Sequence, residues 1–389
     1  MNGCFRSNKA TIQRSMIPET NSVFSGAPSM ELIKKKRNAI KTVIRKLGIA
    51  TLPKCNSTDM FNSSFNQKSF PGFSYKEYLE FNTKEEAFEV ASYVAEERWN
   101  YISSCSKEGK EIRRNAIFLS TYVVSAQNNK DAWYDGGETA TSRAVHMPEY
   151  HCELQSAPWI DQITEHIREK QNGPIYIGNS QSKYERLAKD MKDSVSMCEG
   201  DVRRFDSSLF ITDTIIPTSI GRLYYDLADE EIDNHFIAIF DNSSIADYYT
   251  PGGHIYRIIN GLSSRVKSTS IFGSIINFVN LCYGIGNRNS KKFKFSIGGD
   301  DFLFGAVIKL NRKFLKEFKD RCSGIGYTFK KLAFKNFNGP NSKRLPVFYK
   351  YNIHRGEPIV TAADMLERVF LPSNKRYKNN TEVFYFDPL

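Results

Sequence analysis

The feature that most constrains the fold lies at residues 292–305, where two apolar runs flank a short turn of glycine and aspartate. Phe293, Phe295 and Ile297 alternate with polar residues, which is the period of a strand with one buried face. The alternation stops at residues 298–301 (Gly-Gly-Asp-Asp), and apolar residues resume directly afterwards. Because glycine reaches the positive φ angles of a tight turn at little cost, this stretch predicts a β-hairpin with two carboxylates at its tip.

The adjacent carboxylates of Asp300 and Asp301 have two interpretations. Aspartate stabilises turns by bonding to its own backbone, so the pair alone is ordinary turn chemistry. Neighbouring carboxylates also repel each other unless a cation lies nearby. Mg²⁺ prefers carboxylate and phosphate oxygens, so the functional interpretation is a divalent metal site, with Mn²⁺ as the alternative ion.

A second pair of aspartates precedes the hairpin. Asp201 and Asp206 are five residues apart, at the point where a strand pattern changes to a helical one. If Asp201 ends the strand, Asp206 lies about one helical turn further along and over the same cleft. The alternative is that Asp206 simply caps the N-terminus of a helix.

Between the two aspartate pairs, a loop rich in glycine and serine starts at Gly261 and leads into an apolar helix that extends to about Tyr283. Thr269, Gly273 and Asn277 are spaced four apart and share one face of that helix. This stripe of small and polar residues predicts that another part of the molecule docks on it. Tight helix packing at the glycine is the alternative, but it leaves a buried asparagine that needs hydrogen-bond partners.

The composition limits the classes of function. The 389-residue chain has a net charge of +11, which suits RNA, DNA or an anionic membrane, although excess charge also serves solubility. No run approaches the roughly 18 apolar residues of a membrane span, and no apolar segment typical of a secretory signal begins the chain. Seven scattered cysteines without a CxxC pair argue against a zinc module or a disulfide scaffold and fit a reducing compartment.

Apolar periodicity predicts further elements. A basic helix is expected over residues 31–47, with its apolar stripe packed on a larger body and its charge facing outward; a position near a nucleic-acid path is the alternative. Thr83 and Glu86 form a capping-box pattern before the next helix. Other helices are predicted at 154–170, 182–193, 220–227 and 309–323, short strands at 330–335 and 345–350, and a short strand or a turn at 174–178.

In chain order these segments give an Asp-x4-Asp, a Gly/Ser loop followed by Thr and Asn, and a Gly-Asp-Asp. This order resembles motifs A, B and C in the palm of viral RNA-dependent RNA polymerases. Residues 261–277 and 143–145 are most similar to the partitivirus and picobirnavirus type, and the second segment resembles fingers motif F. Its Arg143, in a strand-like setting where a surface salt bridge is the alternative, would clamp the triphosphate. The resemblance covers about residues 138–358, and the ordered set is far more specific than any one motif.

The resemblance implies roles for the matching acidic and amide residues. Asp201 and Asp300 would hold two Mg²⁺ ions, with Asp301 as a supporting carboxylate. Asp206 and Asn277 would contact the ribose 2′ hydroxyl and so select RNA precursors over DNA precursors.

Further roles are implied around the nucleotide. Ser264 and Thr269 would position the template and the nucleotide. A lysine would protonate the leaving pyrophosphate, with Lys335 as first choice and Lys331 as second. Residues 348–355 would form the motif E region, which supports the primer end.

Two features depart from the family pattern. Arg265 stands where the family usually has glycine after the motif B serine. Arginine reaches positive φ only at a cost, so a less flexible loop is expected, and Arg265 with Lys267 could bind template phosphates instead. The segment after residue 358 is shorter than the thumb of most family members, so we expect a truncated thumb, a minimal one, or one supplied by a partner.

The expected fold is α+β: a right-hand polymerase with an antiparallel-sheet palm, helical fingers and a short or incomplete thumb. The predicted domains are an N-terminal extension with a basic helix (1–75), fingers (76–194), palm (195–212 and 256–358), an insertion between fingers and palm (213–255), and a residual thumb or tail (359–389).

The predicted function is template-directed RNA synthesis that replicates and transcribes a viral RNA genome. The expected partners are the RNA template and product, ribonucleoside triphosphates and, as a further candidate, a capsid protein. The expected location is the host cytoplasm or the interior of the virion, and mitochondrial targeting is less favoured. The alternatives are a catalytically impaired, RNA-binding palm subunit and a reverse transcriptase; Asp206 with Asn277 argues against the latter, which usually places a bulky residue near the sugar.

Overall fold

Among the residues that the structure describes, helices predominate and three sheets lie between them. The computed structural model describes residues 30–107, 120–124, 145–170, 173–177, 181–191, 193–244, 246–249, 255–258, 261–263, 266–286, 292–336, 347–348, 351–354 and 357–359. The α-helices in these ranges are α1 Met30–Leu47, α2 Phe73–Leu79, α3 Lys84–Lys107, α4 Tyr150–Glu169, α5 Gln181–Met191, α6 Phe205–Ser208, α7 Ile211–Arg222, α8 Glu230–Ser244, α9 Thr269–Ile285 and α10 Arg312–Ser323, and a 3₁₀ helix spans Ser57–Asn62. The strands are β1 Ser120–Val124, β2 Val145–Met147, β3 Ser196–Val202, β4 Ala246–Tyr249, β5 Ile255–Ile258, β6 Phe293–Gly298, β7 Asp301–Ala306, β8 Phe329–Asn336, β9 Val347–Phe348, β10 Tyr351–His354 and β11 Glu357–Ile359. Within the same ranges, no helix combines the length and the apolar character needed to cross a bilayer.

The central sheet has the strand order β6-β7-β3-β8, and each neighbouring pair is antiparallel. β6 and β7 form the hairpin that the sequence predicts, with Gly298 paired to Asp301 across its turn. A parallel bridge between Ile175 and Ile297 covers part of the β6 edge. Because β3 lies beside β7, Asp201 and the hairpin belong to one sheet, whereas Asp206 follows in helix α6.

Two smaller sheets accompany the central one. One has the order β2-β1-β4-β5 and contains a parallel pair, β1 with β4. The other, β11-β10-β9, is antiparallel and contains the described part of the predicted motif E region. The fold is therefore a mixture of helices and mainly antiparallel sheets.

An aromatic layer attaches the central sheet to the helices behind it. The ring of Phe304 lies 5.5 Å from that of Phe318 in α10 and 6.1 Å from that of Phe295. Phe293 stacks on Phe314 at 6.1 Å, and Phe278 of α9 lies 5.0 Å from Phe295. Each such pair contributes about 0.5–1.5 kcal/mol beyond its buried area, so this face of the sheet is firmly packed.

α1 packs an apolar stripe, which includes Ala39, Val43 and Leu47, against the main core, and the predicted helix over 31–47 is confirmed. Lys36 is an exception to the prediction that the charged side chains of α1 face outward. Its Nζ lies 2.6 Å from Oδ1 of Asp213, and the two side chains are only 1% and 4% exposed. Nothing in the sequence pattern predicted this buried ion pair.

The prediction of a helix at 220–227 was wrong in position, because α7 ends at Arg222. The acidic run 229–233, left unassigned by the sequence pattern, covers the start of α8. Carboxylates in the first turn of a helix are stabilised by the helix dipole, which explains this placement.

Candidate active site

The register of the central sheet places Asp201 beside the turn of the β6–β7 hairpin. Gly200 in β3 pairs with Phe302 in β7. Continuing this antiparallel register by one residue puts Asp201 across from Asp301, with Cα atoms about 5 Å apart. Asp300 is the neighbouring residue in the turn, so three aspartates lie together at one end of the sheet.

The direction of these side chains follows from the packing of Gly200. A Cβ atom at this position would lie 2.6 Å from Cζ of Phe302, so only glycine allows the buried ring to cross β3 here. Side chains alternate between the two faces of a strand, which puts Asp201 and Asp301 on the face opposite Phe302. Both aspartates are partly exposed.

Two side chains of α9 hold the turn itself. Gly299 has a φ of +61°, the left-handed conformation that glycine adopts readily. Its N–H donates to Oγ of Ser274 at 2.8 Å, and its carbonyl accepts from Nδ2 of Asn277 at 2.8 Å. Both partners are fully buried. α9 therefore fixes the peptide groups on either side of Gly299, directly before Asp300.

Gly273 lets α9 approach this turn closely. A Cβ atom at Gly273 would lie 3.3 Å from the ring of Phe205 and 3.8 Å from Cα of Gly299. The predicted docking of another segment on this face is thus confirmed at Gly273 and Asn277, and the docked segment is the turn at residues 298–301, called the aspartate turn below. Thr269 contacts the Gly/Ser loop instead.

The side chain of Asn277 is 0% exposed and bonds to protein at both ends. Its Nδ2 donates to Gly299, and its Oδ1 accepts from the hydroxyl of Tyr327. The contact of Asn277 with a ribose hydroxyl stays a prediction, and in this conformation its carbonyl oxygen already has a donor.

Asp206 is exposed in the short helix α6, next to the start of the Gly/Ser loop. Its carbonyl accepts from the N–H of Leu262 at 2.9 Å. A Cβ atom at Gly261, whose φ is +93°, would lie 2.9 Å from the same carbonyl. Before α6 the chain turns sharply at Arg204, which has a φ of +48°. These contacts bring the predicted motif A and motif B segments together.

Thr269 closes this loop onto the start of α9, because its Oγ1 donates to the carbonyl of Ser263 at 2.6 Å. Ser264, Arg265 and Arg143 lie outside the described residues, so their roles stay predictions.

Lys267 pairs with Asp161 of α4 at 3.1 Å. Its Nζ also donates to the carbonyl of Ser64 at 3.0 Å and lies 4.6 Å from the ring centre of Phe65. Lys267 therefore anchors the loop to the helical part of the protein, which weakens the prediction that it binds a template phosphate.

The register of β8 distinguishes the two lysines predicted near the leaving group. Lys331 pairs directly with Asp201, whereas Lys335 pairs with Met197. Met197 is four residues along β3 from Asp201, or roughly 13 Å at the rise of a strand. Lys331 is also exposed. The geometry therefore favours Lys331, the second choice from the sequence.

The aspartates fit a metal ion whose ligands come partly from the protein and partly from the substrate. Within the described residues, no group of three or more His, Cys, Asp or Glu side chains could hold a metal by itself. Mg²⁺ usually takes one or two carboxylates and completes its shell with water and substrate phosphates. Asp201 and Asp301 on adjacent strands, with Asp300 in the turn, provide such an incomplete set.

Sequence reasoning missed two residues that support this site. Ser274 lies three residues before Asn277 on one face of α9, so a stripe drawn through both could have found it. Tyr327 follows α10 in a segment with no pattern of its own, and only the fold brings it beneath the turn.

The chain was compared with known proteins. The profile of the family described as viral RNA-dependent RNA polymerase matches residues 28–360. The match includes each of the three motif segments and all of the described residues. No individual curated protein matched the chain.

Proposed function

The chain belongs to the family of viral RNA-dependent RNA polymerases, and from this we propose how its residues carry out nucleotidyl transfer. It is an RNA-directed RNA polymerase, and such an enzyme binds RNA and nucleotides. The family generally uses divalent metal ions. The observation that carries our proposal is the aspartate turn held by α9 at the end of β3, next to Asp201.

We assign Asp201, Asp300 and Asp301 to a site for two Mg²⁺ ions, with Mn²⁺ as the alternative. The register supports Asp201 and Asp301 as neighbours, and the turn places Asp300 beside them. Cations bound there would favour ionisation of the attacking 3′ hydroxyl and balance the charge of the leaving pyrophosphate. The chain's own contribution is to keep the carboxylates converged despite their mutual repulsion.

Other residues handle the nucleotide. The exposed carboxylate of Asp206 accepts a hydrogen bond from the ribose 2′ hydroxyl, which selects ribonucleotides. Lys331, across the strand pair from Asp201, donates a proton to pyrophosphate. Ser264 and Thr269 position the template and the nucleotide, and Arg143 clamps the triphosphate.

The outer face of α1 is a candidate contact for the RNA backbone. Four exposed cations recur along it at intervals of three or four residues, and like charges at that spacing destabilise an isolated helix. Phosphates would relieve this repulsion. The four residues are Lys34, Arg37, Lys41 and Arg45.

The finer parts of the proposal extend beyond this site. The architecture is a right hand with the central sheet as palm, and the virus is of the partitivirus or picobirnavirus type. The enzyme replicates and transcribes the genome in the host cytoplasm or inside a virion, where a capsid protein is its partner. The motif similarity, the order of the elements and the basic charge support these statements.

A primer-extension assay on an RNA template with Mg²⁺ tests the function. Wild type should incorporate ribonucleotides, and Asp201→Ala and Asp300→Ala should each abolish extension while RNA binding persists. A wild type that binds RNA but extends no primer with either Mg²⁺ or Mn²⁺ would refute catalysis and favour an RNA-binding subunit. A preference for deoxyribonucleotides would instead indicate a reverse transcriptase.

A further inference from the structure

Tyr327 lies beneath the aspartate turn, between α10 and β8. Its N–H donates to the carbonyl of Cys322 at 3.0 Å, which fixes its backbone to the end of α10. Its ring packs edge-on against Phe205 at 6.3 Å and Phe329 at 5.4 Å. The residue is 2% exposed, and its hydroxyl donates to Oδ1 of Asn277. Tyr327 thus connects the packed core behind the sheet to the side chain that supports the turn.

The hydroxyl of Tyr327 determines the orientation of the Asn277 amide. An amide presents an acceptor on one side and donors on the other. With Oδ1 bonded to the tyrosine, Nδ2 faces the carbonyl of Gly299 and donates to it. Burial, together with the nearby thiol of Cys322 and carboxylate of Asp300, raises the pKa of Tyr327 well above its usual range, so the hydroxyl stays protonated.

We propose that Tyr327 is a positioning residue for nucleotidyl transfer: through Asn277 it fixes Gly299 and thereby the directions of Asp300 and Asp301. Without the hydroxyl, the Asn277 amide can rotate. Its oxygen then faces the carbonyl oxygen of Gly299, and because both are acceptors the hydrogen bond is replaced by repulsion. Of the two described hydrogen bonds between α9 and the turn, the one from the N–H of Gly299 to Ser274 then remains. In this arrangement Asn277 supports the turn and does not contact the sugar. The inference rests on the proposed role of the turn as the metal site.

Tyr327→Phe tests the proposal because it removes one oxygen and keeps the ring packing. Loss of a single buried hydrogen bond predicts a fall in kcat of about fivefold to tenfold. The KM for nucleotides should not change, and the fall should be the same for ribonucleotides and deoxyribonucleotides. A hydroxyl that only stabilised the fold would reduce the amount of folded protein and leave kcat per folded molecule unchanged.

Tyr225→Phe is the matched control. Tyr225 is also 2% exposed, and its hydroxyl donates to the carbonyl of Trp159 at 3.0 Å, in the helical part of the protein. The two variants lose the same group from equally buried sites, but only Tyr327 bonds to the support of the turn. We expect Tyr225→Phe to keep the wild-type kcat, and equal kcat values in the two variants would overturn the proposal.

A double-mutant cycle tests whether Tyr327 acts through Asn277. Asn277→Ala should lower kcat by the same factor for ribonucleotides and deoxyribonucleotides. Adding Tyr327→Phe to this variant should lower kcat no further. Additive effects of the two changes would contradict a shared route. A changed ratio of ribonucleotide to deoxyribonucleotide incorporation in Asn277→Ala would show that Asn277 contacts the sugar, which also overturns the proposal.

Hydrogen–deuterium exchange separates this inference from the proposed function, because it needs no activity. The segment around Gly299 should exchange several-fold faster in Tyr327→Phe than in wild type or Tyr225→Phe. Unchanged exchange would refute the positioning of the turn, even in an active enzyme. Faster exchange in a protein that extends no primer would support the positioning and refute only the polymerase chemistry.

Discussion

Breaking the buried pair of Lys36 and Asp213 should cost several kcal/mol of stability. The charges lie 2.6 Å apart and are almost fully buried, and the second oxygen of Asp213 accepts from the N–H of Phe210 at 3.0 Å. At an effective dielectric constant of about 20, charges 2.6 Å apart attract by about 6 kcal/mol, which offsets the cost of removing both from water. Lys36→Met keeps the length of the side chain but leaves the carboxylate buried without its cation. The expected loss is about 3–5 kcal/mol.

Urea unfolding of the wild type and the variants measures this loss. The double variant Lys36→Met/Asp213→Asn removes both charges and keeps an acceptor for the N–H of Phe210, so it should recover most of the stability. The control is Lys54, whose Nζ lies 2.8 Å from Oδ2 of Asp229 and 2.7 Å from Oε2 of Glu231, with these three side chains 40%, 27% and 21% exposed. Lys54→Met should cost less than about 1 kcal/mol. Equal losses in the two Lys→Met variants would refute the reasoning, since Lys54 has two carboxylate partners but is far more exposed than Lys36.

Three further results are expected. Asp206→Ala should relax the choice between ribonucleotides and deoxyribonucleotides more than it slows ribonucleotide incorporation. Single-nucleotide incorporation with both sugars measures this choice, and unchanged discrimination would show that the assigned role is wrong. Gly299→Ala should lower the free energy of unfolding by about 1–2 kcal/mol through backbone strain alone, because a Cβ there meets no atom within 4 Å. Gly200→Ala should lower it by more, because its Cβ would lie 2.6 Å from an aromatic ring. Urea unfolding that ranks the two variants in the opposite order would contradict this. Burial lowers the pKa of His235 and His151 to about 3 from 6.5, so the unfolded chain binds these protons first as the pH falls. Their contribution to the free energy of unfolding is complete above about pH 6.5 and is lost toward pH 3 by about 1.4 kcal/mol per pH unit for each histidine. Urea unfolding between pH 7 and 5 should therefore show a shallower pH dependence of stability in His235→Gln than in wild type. An unchanged slope in that variant would mean that His235 is not buried in its neutral form.

The sequence predicted those parts of the site that depend on local patterns. The hairpin follows from alternation around a glycine turn, and α9 follows from an apolar run that starts at Thr269. The four-residue spacing of Gly273 and Asn277 correctly indicated a docking face. Each of these signals lies within about 20 residues of chain, where the geometry of a strand or a helix fixes which side chains are neighbours.

Contacts between distant segments could not be predicted in this way. The preference for Lys331 over Lys335 depends on the register of β8 against β3, which pairs Lys331 with Asp201 and Lys335 with Met197. A shift of register moves every side chain relative to its partner strand, and no local pattern records it. The burial of Lys36 could not be predicted either, because its partner is far along the chain and its neighbours in α1 are exposed cations.

The support of the aspartate turn follows from a physical conflict within the turn itself. Glycines at 298 and 299 allow the tight reversal but leave the backbone free to move, and the adjacent carboxylates of Asp300 and Asp301 repel each other. Catalysis that depends on placing these groups within a fraction of an ångström requires rigidity from elsewhere. α9 supplies it through hydrogen bonds to the peptide groups on either side of Gly299. Residues that touch neither RNA nor nucleotide should therefore alter turnover, and the most informative substitutions are those that remove a single polar atom from this support.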